Sequence, residues 1–205
     1  HINSQGMFHF ESKPENRVPQ PVIQKKEAER MITAAQNHFG GNLADAIAIS
    51  VYSGMGYDEW TQLQACDIHW GDVPFIWVGN RPDFTLKRDV RKRKIPLVGE
   101  LTGRKLIPII KKRYEDAKGT SIPLFGDDWT NADQHRREFN KVKNFCNINP
   151  HVTPYCLRHS FCTWLIQADV ALPKVQRLMG HAQITTTMNY IHVADNDLAN
   201  AIERL

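Results

Sequence analysis

Apolar residues recur every three or four positions over most of this chain, interrupted by one central stretch where they alternate instead. Ala28, Met31, Ile32 and Ala35 predict a helix that starts near Gln24 and ends by Gly40-Gly41. Leu43, Ala46, Ile47 and Ile49 predict a second, largely buried helix, stopped at Ser53-Gly54, and Trp60 and Leu63 extend a third, short one toward Cys66-Asp67. Between Asp67 and Leu97 the texture changes: Asp67–Trp70, Phe75–Val78 and Arg93–Leu97 are short β-type runs punctuated by Gly71, Pro74, Gly79 and Pro82. Helical periodicity returns at Leu101–Ala117 and Ala132–Cys146 and continues to the C-terminus. The predicted fold class is therefore mainly α (α+β), a helical domain with a small three-stranded antiparallel sheet. Residues 1–22 carry three prolines and little periodicity and read as a linker or N-terminal extension, leaving 23–205 as the domain.

A chain of 205 residues, 41% hydrophobic and 23% charged, suffices for one well-cored domain. No apolar run approaches the roughly 18–20 residues of a membrane span, and no charged-then-apolar leader opens the chain, so membrane and secreted classes are not expected. The four cysteines (Cys66, Cys146, Cys156, Cys162) form no CxxC pair, and with His151 and His159 they match no familiar metal-ligand spacing. Reduced thiols in a cytoplasmic protein, with no metal, are the expectation.

The net charge is only +4, yet Lys87, Arg88, Arg91, Lys92, Arg93 and Lys94 crowd one short segment opposed by Asp89 alone. The rest of the chain is close to neutral. Such a cluster suits contacts with nucleic-acid phosphates, and equally suits a solvated edge strand whose lysines block aggregation.

The C-terminal third carries the chemistry. Thr153-Pro154 reads as N-cap and first helical position, after which Leu157, Phe161, Trp164 and Leu165 share a core-facing side. Arg158 lies early in that helix, placed to grip an anion bidentately. Pro173 opens another helix that Gly180 closes as a left-handed cap; His181 follows at once, and a helix begun at Ile184–Thr187 carries Tyr190 and His192.

Leu157-Arg158-His159-Ser160-Phe161, Leu178-Met179-Gly180-His181 and Thr186-Thr187-Met188-Asn189-Tyr190-Ile191-His192 resemble the catalytic boxes of the tyrosine recombinases, the phage-integrase family. The resemblance runs from about Lys25 to the end. It implies a domain that breaks and rejoins DNA through a 3′-phosphotyrosyl link, with no cofactor or metal, for the integration or excision of a mobile element. Tyr190 then corresponds to the nucleophile, Arg158 to an arginine that binds non-bridging phosphate oxygens, and His181 to a hydrogen-bond donor to the scissile phosphate. His192 is supportive. Lys87 in Thr85-Leu86-Lys87 best matches the hairpin lysine that protonates the leaving 5′-oxygen, with Lys92 and Lys94 as other registers. Arg88, Arg91, Lys92, Arg93 and Lys94 are expected to bind DNA. The implied partners are a double-stranded attachment site and further recombinase subunits in a synaptic tetramer, with a monomer away from DNA and an N-terminal core-binding domain absent from this chain. The implied setting is bacterial or phage-encoded, at the nucleoid. Asp195–Leu205 reads as an amphipathic helix that docks in trans or folds back in cis.

Two positions depart from the family pattern. Tyr155 stands where a histidine usually precedes the arginine by three residues. Ser53–Leu63 resembles the first box with Glu59 as its glutamate, but Gly56 occupies the position of the first catalytic arginine. Either another cation (Arg88, Arg91 or Arg93) reaches in, or the reaction is slow, or the chain is a silent DNA-binding member that occupies recombination sites or regulates a partner recombinase. A related relaxing topoisomerase is a weaker alternative.

Overall fold

The computed structural model describes residues 20–87, 89–125, 129 and 131–191. The extension through residue 19, Arg88, His192 and the Asp195–Leu205 tail lie outside the described residues.

Helix α1 spans Lys25–Ala34, where the Gln24 amide donates to Glu27 Oε2 at 2.8 Å, and a widened turn carries it through Phe39 to Gly40. Helix α2, Gly41–Ser53, is buried along nearly its whole length from Leu43 onward, as its continuous apolar composition requires. It is the axis of the domain, and α1 packs along it. It ends at Gly54, whose φ of +68° is left-handed; a Cβ there would lie 2.5 Å from Phe161 Cδ1, so both backbone and packing demand glycine.

The third helix is shorter than its apolar residues suggest. Helix α3 is the single turn Tyr57–Trp60, and Leu63 is buried beyond its end. Strands β1 (Ile68–His69), β2 (Phe75–Val78) and β3 (Arg93–Pro96) form the antiparallel sheet in the order β1-β2-β3. The register pairs Ile76 with Ile95, Trp77 with Lys94 and Val78 with Arg93. Alternation therefore turns Ile76, Val78 and Ile95 inward, and Arg93 with them. Phe75, Trp77 and Lys94 face the other way, with the Lys94 ammonium 4.5 Å from the Trp77 ring.

Helices α4 (Arg104–Ala117) and α5 (Ala132–Phe145) complete one side of the core. Helix α6, Pro154–Gln167, starts after Thr153 with proline at its first turn, as expected, and packs on α2. The chain entry is tied to it: Ile23 N donates to Ser160 Oγ at 2.8 Å, and Trp164 Nε1 donates to Ile23 O at 3.1 Å. Helix α7 (Leu172–Met179) ends at Gly180 in the left-handed conformation, and α8 is only Ile184–Met188. Tyr190 is not carried by that helix; it sits in the turn after it, its amide bonded to Thr187 O at 3.1 Å.

Candidate active site

The site is built around a buried carboxylate. Glu59, at the third position of α3, is 1% exposed and bridges two guanidinium groups. Arg93 Nη1 and Nη2 donate to its two oxygens at 2.8 and 2.9 Å, and Arg158 Nη1 donates to Oε2 at 3.0 Å. The Gly56 amide donates to the same oxygen at 2.9 Å. Burial alone would raise the Glu59 pKa, but these positive neighbours and hydrogen bonds outweigh it and hold the carboxyl at about 2.

Backbone carbonyls complete the cage. Arg158 Nη1 donates to Gly54 O at 2.6 Å and Nη2 to Met179 O; Arg93 Nε donates to Leu178 O at 2.7 Å. The ends of α2 and α7, both closed by left-handed glycines, thus supply the acceptors that orient the two arginines. Arg93, expected on a DNA-binding surface, is 7% exposed and committed to this cage. The strand register turns it inward on the same face as Ile95.

His181 follows α7, its Nδ1 hydrogen-bonded to Thr187 Oγ1 at 2.9 Å. Burial, reinforced by the charges of Arg158, Arg93 and Arg91, lowers its pKa to about 4, so the imidazole is neutral at pH 7. The Tyr190 ring lies nearly parallel to that of His181 with centroids 6.0 Å apart, and 4.6 Å from the ring of His159. Tyr190 is 6% exposed and packs among Phe161, Cys162, Val175 and Met179. Burial raises its pKa above the ordinary phenol value, as does the nearby Tyr155 hydroxyl, while the Arg158 charge pulls the other way. The three residues that the C-terminal spacing singled out therefore share one neighbourhood. Tyr155 itself is exposed at the mouth.

Two adjoining cavities open beside this cluster. The first, about 210 Å³, is lined by Gly56, Tyr57, Lys87, Arg91, Tyr155 and Arg158 among others. The second, about 600 Å³, is lined by Lys87, Arg91, Gly180, His181, Gln183 and Thr186. Lys87 and Arg91 border both. The ammonium of Lys87 is exposed and pairs with Asp58 at 2.7 Å. Lys92 and Lys94 lie farther round, along a basic groove with Lys174 and Arg177.

Sequence reading missed the acceptor carbonyls of Gly54, Leu178 and Met179, since any residue offers a carbonyl. It also missed the ring of His159 against Tyr190 and the wall of Tyr57, Trp60 and His135 behind the first cavity. Only the adjacency of His159 to Arg158 hinted at any of these. Among the described residues no group of three or more His, Cys, Asp or Glu side chains could hold a metal ion.

The model of the phage integrase family matches residues 21–197. A tyrosine recombinase of Thermosipho africanus is 29% identical over all of this chain and 71% of its own length. The tyrosine recombinase XerD of Listeria monocytogenes is 27% identical over 84% of this chain, which spans only 58% of that relative. Among solved structures, the Tn1549 transposon integrase in complex with transposon right end DNA superposes with a TM-score of 0.69 at 23% identity, covering 94% of this chain and 68% of that one. The XerH recombinase bound to palindromic difH substrate gives 0.67 at 20% identity over 89% of this chain and 52% of that one. With boxes, fold and these matches in agreement, the chain belongs to the phage integrase family, the tyrosine recombinases.

Proposed function

We propose that this chain is the catalytic domain of a site-specific DNA recombinase that integrates or excises a mobile element through a 3′-phosphotyrosyl intermediate. The observation that carries the reading is the grouping of Arg158, His181 and Tyr190 beside a cleft bordered by Lys87 and Arg91. Arg158 holds non-bridging oxygens of the scissile phosphate. Its fixed orientation costs no reorganisation as charge develops on phosphorus. Neutral His181 donates a hydrogen bond to the same phosphate. Tyr190 oxygen forms the bond to phosphorus as the bond to the 5′-oxygen breaks; the phenol proton leaves the pocket, with Tyr155 at its mouth as relay, and Lys87 delivers a proton to the leaving 5′-oxygen. Because Tyr190 is buried and neutral in the resting fold, it turns out of its apolar cluster to reach the phosphate.

DNA phosphates are engaged by Lys92 and Lys94 together with Lys174 and Arg177 along the basic groove. Arg88 belongs to the same basic segment. The working assembly is a set of recombinase subunits on a double-stranded attachment site, monomeric away from DNA and cytoplasmic, acting with a separate core-binding domain. Among the described residues no helix is long and apolar enough to cross a membrane.

The test is covalent trapping on a nicked attachment-site duplex. A denaturation-resistant protein–DNA adduct is expected, lost in Tyr190→Phe; its absence with the parent refutes the reading. Gly56 favours a second reading, a member that occupies recombination sites without cutting them. In that case the parent binds the site, forms no adduct, and gains one in Gly56→Arg.

A further inference from the structure

We propose that Arg91 supplies the second guanidinium of the phosphate clamp, in place of the arginine that Gly56 lacks. The inference rests on the strand-transfer reading and adds to it a residue that neither the boxes nor the comparisons assign.

Charge is the first consideration. A phosphodiester carries one negative charge and approaches two in the pentacoordinate transition state. The buried cage offers less than its two arginines suggest, because Glu59 neutralises one of them. Arg93 spends four donor contacts on Glu59, Arg91 O and Leu178 O. Arg158 spends three, leaving only Nε and one N–H of Nη2 for a substrate. Lys87 is paired with Asp58. Among the described residues no carboxylate pairs with Arg91, which borders both cavities.

Placement is the second. Gly56 has an ordinary backbone (φ −79°, ψ 165°), and a Cβ built there would meet only Glu59 Oε2, at 4.0 Å. The space an arginine side chain would use has not collapsed; it is part of the cavity that Arg91 and Arg158 both line. Arg91 also lines the adjoining cavity with His181, so it stands at the boundary where a phosphate would touch Arg158 and His181 together.

Rigidity is the third. Arg91 Cα lies 3.2 Å from where a Cβ on Gly180 would stand, a contact that only glycine permits at φ +64°. Its carbonyl accepts from Arg93 Nη1 at 3.0 Å. The backbone of Arg91 is thereby fixed to the cage that orients Arg158, although it arises from the loop between β2 and β3. Of the arginines that could replace the missing one, Arg93 is consumed in the cage, and among the described residues Arg91 is the one that lines both cavities.

The test compares single-turnover adduct formation on saturating nicked duplex for the parent, Arg91→Ala, Arg91→Lys, Gly56→Arg and the double variant Gly56→Arg/Arg91→Ala, with duplex affinity and Tm measured on each. Loss of one transition-state donor costs about 10²–10³ in rate, so Arg91→Ala is expected to slow cleavage by that factor with duplex affinity and Tm little changed. Arg91→Lys should recover part of the rate and, by keeping the aliphatic stem, guards against a packing defect. The double variant should cleave at least about tenfold faster than Arg91→Ala, one lost decade being about 1.4 kcal/mol of barrier. Cleavage by Arg91→Ala within threefold of an active parent overturns the assignment, as does a double variant no faster than Arg91→Ala. A parent that forms no adduct instead removes the strand-transfer reading, and this assignment with it.

Discussion

The buried Glu59 cage gives the most demanding prediction. Glu59→Gln keeps the shape of the side chain but removes the carboxylate that, among the described residues, is the only counter-charge of two guanidinium groups whose side chains are 4% and 7% exposed. Deleting one partner of a buried pair costs about 3–5 kcal/mol, because the remaining charge loses its partner without regaining water. In a chain of this size each kcal/mol lowers Tm by about 2–4 °C, so a fall of roughly 6–20 °C is expected in thermal unfolding. The double variant Glu59→Gln/Arg93→Met should be less destabilised than the sum of the two single changes, by about 0.5–3 kcal/mol. Acid should mimic the substitution. The Glu59 carboxyl is depressed to about 2, so its contribution is complete above the unfolded value near 4.5 and is lost as pH falls toward 2. Over that window the parent should lose stability faster than Glu59→Gln. A loss under about 1 kcal/mol in urea unfolding, or strict additivity in the double variant, would refute the claim that the cage holds α3, β3 and α6 together.

Gly180→Ala places a Cβ in a left-handed residue 3.2 Å from Arg91 Cα; it should cost about 1–3 kcal/mol in urea unfolding and slow adduct formation more than it weakens duplex binding, whereas Gly71→Ala, with open space around it, should do neither. Lys87→Ala should leave Tm nearly unchanged, since its pair with Asp58 is exposed, yet slow cleavage; a duplex with sulfur at the 5′-bridging position should restore the rate because a thiolate leaves without a proton. His135, buried against Trp60 and Trp129, has its pKa lowered by burial to about 4, so its neutral form stabilises the fold above about pH 6.5 and that contribution is lost as pH falls through 4. His135→Phe should accordingly lose less Tm than the parent between pH 7 and pH 4.5.

Local signals carried far in this chain. The periodicity of Ala28–Ala35 and Leu43–Ser50, the Thr153-Pro154 helix entry and the Gly54 and Gly180 stops are read from neighbouring residues, and these elements stand as expected because each depends on backbone preference and one buried face. The β-runs are likewise local, though β1 keeps only Ile68–His69 of the four residues that alternate. The shortness of α3 and α8, and the place of Tyr190 in a turn, were not legible: such segments hold their shape through contacts with distant parts of the fold.

The boxes around Arg158, His181 and Tyr190 carried the resemblance to the family, and their spacing allowed the three side chains to meet without requiring it. Tertiary structure alone decided what the basic segment does. Six cations in eight residues look equivalent along the chain. Strand register sends Arg93 into the core against Glu59, a glycine eighty-nine positions away from Arg91 packs against that residue beside the candidate cleft, and Lys94 stays over an aromatic face. The physical reason is that charge count is a property of the segment, whereas the partner of each charge is chosen by whichever surface the fold brings within about 3 Å of it.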